Sequence, residues 1–463
     1  MKPQDSSPSP TGPDASVTGA GARADDPDGA LPATLAQPGA ASFWLAALVV
    51  GIGTGASAIA LTRLLELAQH IAWQGAPGAE LLDAVAKASA ARRVIVLVGA
   101  GVLTGIGQLV LVRLSSGNGI DITEAIWFRA GRLPKLRTLG SAVLSVVLVG
   151  MGTSLGREGA PKQAGAVLAD AACDRLRLSD AQRRLLVACG AGAGMAAAYG
   201  VPLGGALFAI EVMRGALALR MVLPALFIAL VATAVSWLGL PDAVTYAIPT
   251  FPMSASIMCW SLLAGPVAGL ASVAYVRLIA LADRHKPTGW RRLLAPTFAL
   301  GLLGALAIAF PQLLGNGKDV AQQAFAGELA PLLMLALLAL KPAATAMCLG
   351  SGAPGGLFTP SLSFGALLGG LLGRAWLLWW PGAPPGLFAI IGATAVLAAT
   401  TQGPVSAVVL MMELTGRDRS FIVPVLLAVT TATLVSRTIE MRSIYEARLT
   451  DAQVEERRRV RGA

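Results

Sequence analysis

Residues 190–213 read GAGAGMAAAYGVPLGGALFAIEVM, and residues 392–415 read GATAVLAATTQGPVSAVVLMMELT. Laid over each other without a gap, they agree at Gly190/Gly392, Ala191/Ala393, Ala193/Ala395, Ala196/Ala398, Ala197/Ala399, Pro202/Pro404 and Glu211/Glu413. Alanine-rich stretches match by chance, but a proline and a glutamate kept at one register point to an internal duplication. A nearly equal offset carries Gly156 onto Gly356 and Gly165 onto Gly365. Internal repeats with broken apolar segments at corresponding places are typical of membrane transporters, whose binding site lies where the repeats meet.

The surroundings of these stretches agree with a bilayer. Of 463 residues 55% are apolar and only 13% charged, against about 25% charged in soluble domains. Apolar stretches near 43–69, 94–112, 139–155, 185–213 and 218–240 fill the first half. Stretches near 256–282, 293–313, 330–349, 361–380, 386–414 and 420–436 fill the second. Several are too short to cross a hydrocarbon core of about 30 Å. Non-helical backbone at that depth is tolerated only inside protein or along a wet cavity, so a helix that stops there stops for a reason. Residues 1–40, rich in Pro, Gly, Ser, Ala and Asp, read as a disordered tail without the pattern of a cleaved signal. The expected division is a membrane domain over 41–450, with halves near 41–240 and 250–440, followed by a short basic tail over 451–463.

A net charge of +10 suggests nucleic acid, but its placement argues otherwise. Arg129, Arg132, Lys135 and Arg137, then Arg183 and Arg184, sit in short gaps between apolar runs, as the positive-inside rule predicts for cytoplasmic loops. The expected location is a bacterial inner or plasma membrane, with the basic Arg457-Arg458-Arg459 end and the N-terminus both cytoplasmic. Cys173, Cys189, Cys259 and Cys348 are scattered, without a metal or disulfide spacing. His70 and His285 lie far from any nucleophile or metal pattern, which argues against an intramembrane enzyme.

Arg157 and Glu158 interrupt two apolar runs in Gly156-Arg157-Glu158-Gly159. A charge at the bilayer centre costs on the order of 2.5–3.5 kcal/mol, so these residues mark either a functional site or a loop at the membrane surface. If a helix starts here, its unpaired N–H groups and about half a positive charge of dipole make an anion site without a lysine. A carboxylate in the same place competes with the anion, so Glu158 is a candidate gate. Ser116-Gly117-Asn118-Gly119-Ile120 and Gly352-Ala353-Pro354-Gly355-Gly356-Leu357-Phe358-Thr359-Pro360 also offer glycine-freed backbone, although each reads equally as a tight turn. Tyr445, just past the last apolar run, reads as an interfacial aromatic.

Together these segments resemble the CLC family of chloride channels and chloride/proton exchangers. Gly156–Ala160 matches its GREGP motif, Gly356-Leu357-Phe358-Thr359-Pro360 its GxFxP motif, Gly117-Asn118-Gly119-Ile120-Asp121 part of its GSGIP motif, and Tyr445 its late pore tyrosine. The resemblance runs from about 43 to 449. It implies an all-α, polytopic fold of two inverted-topology repeats, with about eighteen tilted and partial helices, in a homodimer with one pore per subunit. It implies Glu158 as the gate. It implies bound chloride ions held by Asn118, Gly119, Ile120, Leu357, Phe358 and Tyr445, with Arg157 and Gly159 holding an outer anion. No other cofactor, and no nucleic-acid partner, is expected.

Five departures qualify this. Asn118 replaces the motif serine and Asp121 its proline, which bears on selectivity among chloride, nitrate and fluoride; the retained Tyr445 argues against the family's fluoride branch. Ala160 replaces the GREGP proline. Lys162 stands where an apolar residue is usual, either raising the local positive potential or snorkelling. Val212 stands where exchangers usually carry an internal proton-accepting glutamate. The expected function is therefore anion transport, chiefly of chloride, passive or weakly coupled to protons, with stoichiometric chloride/proton antiport as the alternative. Only a short segment follows Tyr445, so a nucleotide-sensing CBS pair is not expected.

Overall fold

The computed structural model describes residues 31, 37, 39–75, 80–114, 121–249, 251, 253–416, 421–447, 449 and 452–455. The first half holds α1 (Ala40–Trp73), α2 (Leu81–Lys87), α3 (Ala90–Leu114), α4 (Ile122–Phe128), α5 (Lys135–Gly150), α6 (Gly159–Leu176), α7 (Asp180–Tyr199), α8 (Pro202–Leu207) and α9 (Leu219–Ser236). The second holds α10 (Ala255–Arg284), α11 (Arg291–Ala309), α12 (Lys318–Ala326), α13 (Pro331–Gly350), α14 (Phe358–Leu377), α15 (Pro385–Thr401), α16 (Pro404–Thr415) and α17 (Ile422–Ile439). Among the described residues the regular structure is helical. In chain order α1 and α3 to α9 correspond one by one to α10 to α17, and α2 has no counterpart.

Among the described residues seven helices, α1, α3, α9, α10, α11, α13 and α17, are long and apolar enough to cross a membrane. Their outer faces carry exposed side chains such as Leu45, Val49 and Ile52 on α1 and Leu262, Leu263 and Leu270 on α10, a surface that suits lipid and not water. The chain is a multi-pass membrane protein built from two inverted repeats.

The duplicated residues have physical reasons to recur. Pro202 and Pro404 each occupy the first turn of a helix, where a missing N–H costs nothing. The next two N–H groups of each helix are satisfied by the glutamate of the other repeat. Glu211 accepts from Val405 N–H at 3.1 Å and Ser406 N–H at 2.6 Å, while Glu413 accepts from Leu203 N–H at 3.0 Å and Gly204 N–H at 2.6 Å. Reciprocal caps of this kind are what a two-fold relation between the halves produces. Helix packing repeats the symmetry. A Cβ on Gly165 or Gly190 would overlap the other's backbone where α6 crosses α7, and Gly365 and Gly392 bear the same relation where α14 crosses α15.

One part of the charge pattern is structural as well as topological. Asp170, 1% exposed, pairs with Lys135 at 3.0 Å and with Arg183, and Asp174 pairs with Lys135 and Arg183 at 2.6 Å each. These residues tie the start of α5, the end of α6 and the first turn of α7 together. Lys135 and Arg183 are therefore not free loop charges.

Candidate functional site

Both repeats break their helices at equivalent places. The chain leaves α5 at Gly150 and starts α6 at Gly159; it leaves α13 at Gly350 and starts α14 at Phe358. The two breaks meet. Gly156 N–H donates to Gly356 C=O at 2.7 Å and Gly356 N–H returns the bond to Gly156 C=O at 2.8 Å, an antiparallel bridge. It brings the amino-terminal ends of α6 and α14 together, each with its unpaired N–H groups and the positive end of its dipole.

Glu158 lies at this junction, at the N-cap of α6, with no exposed surface. Its Oε1 accepts from Phe358 N–H, the first residue of α14, at 2.7 Å. Its Oε2 faces two hydroxyls, Thr359 Oγ1 at 3.3 Å and Tyr199 Oη at 3.4 Å. These hydroxyls lie 3.0 Å apart and share two protons between the carboxylate and each other. A buried carboxylate is thus seated where an inorganic anion would find the same donors. The site has no room for side chains on the bridge: a Cβ on Gly156 or Gly356 would overlap the Glu158 carboxylate, and one on Gly159 would come within 2.9 Å of Gly356 N.

Arg157 packs on Tyr199. Its guanidinium carbon lies 4.7 Å above the Tyr199 ring, and its buried Nε has no hydrogen-bond partner among the described residues. It also forms part of the wall of a cavity of about 690 Å³, shared with Trp73, Glu80, Asn316, Lys318 and Asp319. Burial, and then the Asp319 carboxylate, raise Glu80 above the ordinary glutamate range. The cavity wall therefore mixes cationic and carboxylate side chains.

Leu357 is the N-cap of α14 and is nearly buried. Tyr445 packs edge-on against Phe208, with ring centroids 5.6 Å apart, and its buried hydroxyl has no partner among the described residues. The residue is partly buried and packs against the core. Lys162, one turn into α6, does not snorkel: it is 5% exposed, and its ammonium lies 4.4 Å from the Tyr445 ring centroid and 5.3 Å from that of Phe208. Val212 is 6% exposed, on a π-helical turn over Phe208–Arg214, packed where a Cβ on Gly403 would come within 2.5 Å of its Cγ2. Asn118, Gly119 and Ile120 lie outside the described residues.

Glu158, Gly159, Leu357 and Phe358 therefore come together, with Arg157 beside them and Tyr445 linked to the same helix through Lys162. Two residues were missed in the sequence, Tyr199 and Thr359. Tyr199 carries the one signal that points to it, a hydroxyl at the end of the apolar, alanine-rich run that closes α7.

Comparison with known proteins supplies the family and the fold. Residues 100–437 match the family model described as voltage gated chloride channel. The chain is 32% identical over 410 residues to a ClcB-like protein of Ralstonia nicotianae, covering 86% of this chain and 95% of that one. It is 34% identical over 327 residues to the voltage-gated ClC-type chloride channel ClcB of Escherichia coli O157:H7, covering 68% and 76%. Among solved structures, a slow cyanobacterial Cl⁻/H⁺ antiporter superposes with a TM-score of 0.77 over 90% of this chain and 99% of that one, at 22% identity. The paired broken helices and the buried glutamate between them thus sit in a chain that belongs to the CLC family of voltage-gated chloride channels and related antiporters.

Proposed function

We propose that this CLC protein carries small inorganic anions, chiefly chloride, across a bacterial inner membrane through a pore gated by Glu158, passively or with weak proton coupling. One observation carries the reading: the Glu158 carboxylate is seated on Phe358 N–H at the start of α14. An anion seeking those donors must displace it, and protonation removes the charge that holds it there. The gate therefore opens by competition or by acid. Partial charges from helix ends bind an anion without the grip of a full counter-charge, which suits rapid release.

Asn118, Gly119, Ile120, Leu357, Phe358 and Tyr445 are proposed as the inner anion ligands, with chloride the ion bound, and Arg157 and Gly159 as the outer ones. A homodimer with a pore in each subunit and cytoplasmic termini completes the proposal. Weak coupling rests on Val212, a buried side chain that carries no proton. The test is Glu158→Gln in liposomes: chloride flux becomes independent of pH. A pH dependence unchanged from the parent protein rules out the gate.

Stoichiometric chloride/proton antiport is the second reading. It draws support from the Tyr199 and Thr359 hydroxyls, which reach the gate carboxylate and each other and so form a short relay for a proton. On this reading Val212→Glu changes coupling little, because protons already reach Glu158 by another route.

A further inference from the structure

The cavity that Arg157 shares with α2 and α12 has one rigid wall and one soft wall. The rigid wall is the turn over 312–315. Lys341 on α13 is 1% exposed, and its ammonium donates to the carbonyls of Gln312 at 3.2 Å, Leu313 at 3.0 Å and Gly315 at 2.8 Å. Gly315 N–H bonds in turn to Gly152 C=O at 2.9 Å, which ties this wall to the helix break that carries Glu158. The soft wall is α2, which lines the same cavity with Leu81, Leu82 and Ala84. It has seven residues and buries only Leu82 and Val85. Helices shorter than about 12–15 residues are marginal without packing, and an element with few buried apolar contacts opens at low free energy. Its two ends are held unequally. At the carboxyl end the Arg93 guanidinium donates to Val85 C=O at 3.0 Å and Ala86 C=O at 2.9 Å. The same group bonds Ala307 and Ile308, at the end of α11, at 3.0 and 3.2 Å. The amino end rests on Asp319, whose Oδ2 accepts from Leu82 N–H at 2.9 Å, and on Leu81, which packs on Gly315.

We propose that α2 is a lid on the entrance to Arg157 and Glu158, hinged at its Arg93-bound end, and that Asp319 is the latch that holds it shut. The proposal rests on the anion-transport reading of the site and adds to it the step that admits the ion. The place of α2 in the repeats supports it. Among the described residues α2 has no counterpart in the second half, so it narrows the approach to the paired helix breaks from one side alone. An anion arriving from that side meets the lid before it meets the gate. Asp319 is a positioning residue, because it acts through α2. Its carboxylate spares an N–H at the start of a short helix, and losing that bond shifts the shut-to-open ratio roughly tenfold. Release takes Leu81 off Gly315 and widens the entrance, while Phe358 N–H still seats the Glu158 carboxylate.

The test reads the entrance directly, in the full chain with the exposed Cys259 changed to serine; Cys173, Cys189 and Cys348 are buried. Gln312→Cys places a thiol on the cavity wall beside α2, and its rate of modification by a negatively charged methanethiosulfonate is measured in detergent. Adding Asp319→Ala is expected to raise that rate roughly tenfold. Asp319→Asn keeps an acceptor for Leu82 N–H and is expected to stay within about threefold of the protein with Asp319. Chloride flux in liposomes supplies a second readout. Asp319→Ala is expected to steepen the rise of initial flux at low chloride and to leave the saturating rate, which the Glu158 gate sets, unchanged. A modification rate that Asp319→Ala does not change overturns the lid and leaves anion transport standing. A parent protein that carries no anion overturns the transport reading, while a modification rate still raised by Asp319→Ala keeps the lid. Should Asp319→Ala fail to fold, hydrogen exchange in the parent protein replaces it. The amides of α2 are then expected to exchange at least about tenfold faster than those of α12, and equal protection of the two helices overturns the proposal.

Discussion

Two hydroxyls bear on how firmly the Glu158 carboxylate, the proposed gate, is held. Replacing Tyr199 by Phe and Thr359 by Ala removes both contacts to Glu158 Oε2 and leaves the Phe358 N–H bond to Oε1 intact. A well-formed hydrogen bond to a charged group contributes a net 1.5–3 kcal/mol or so, but hydroxyl donors are best near 2.7–2.8 Å. At 3.3 and 3.4 Å these two are long, and about 0.7 kcal/mol each is a fair value. Together they bias the docked state by about 1.4 kcal/mol, or roughly tenfold in the docked-to-undocked ratio. The phenylalanine keeps the Tyr199 ring, which packs on Phe358 with centroids 6.4 Å apart, so the loss is confined to the hydroxyl. The assay is initial chloride efflux from liposomes at neutral pH, repeated across a pH series. Each single variant is expected to run about threefold faster than the parent protein and the double variant about tenfold faster. All three are expected to keep the pH dependence, because the carboxylate and its backbone donor remain. A double variant no faster than the parent protein refutes the reasoning, since docking would then not limit flux.

Gly356→Ala places a methyl group on the Glu158 carboxylate; it is expected to evict the gate and to give the pH-independent chloride flux of Glu158→Gln, measured in the same vesicles. Asp170→Asn strips a buried carboxylate from Lys135 and from Arg183, whose side chain is 7% exposed. Breaking a buried pair costs about 3–5 kcal/mol, and with Asp174 still bonded to both cations the loss should fall near 3 kcal/mol, read as a lower unfolding midpoint in detergent with Glu158-dependent flux retained. Glu211→Ala and Glu413→Ala each orphan two helix-start N–H groups in the opposite repeat. At about 1–3 kcal/mol per orphaned group both should destabilise, Glu211→Ala the more, since Glu211 also accepts from the Ser406 hydroxyl at 2.5 Å. A Glu413→Ala variant that denatures earlier than Glu211→Ala would contradict this.

How much of this was legible in the sequence varies by residue. The repeat could be read from Pro202/Pro404 and Glu211/Glu413 because a helix start requires a first residue that spares its N–H and a cap that satisfies the next ones. Those demands fix residue identity and register together. Gly156 and Gly356 were legible for a similar reason, since the bridge and the carboxylate between them leave no space for a Cβ. Tyr199 and Thr359 were not, because their meeting with Glu158 is made by the packing of α7 and α14 and nothing local in sequence encodes it. Lys162 was visible as an oddity, but its cradle needs Phe208 and Tyr445 brought from two other segments. The basic residues around the starts of α5 and α7 carried two meanings at once. Their number gave a topology signal, while their pairing with Asp170 and Asp174 depended on where α6 ends.

The central claim is that anions pass a glutamate gate without a fixed partner proton. Its most direct test is a simultaneous recording of chloride and proton flux from liposomes containing the parent protein, driven by a chloride gradient alone. Chloride efflux with proton uptake absent, or small and without a constant ratio, is the predicted result. Proton uptake in fixed stoichiometry with chloride, driven uphill by the chloride gradient, would contradict it.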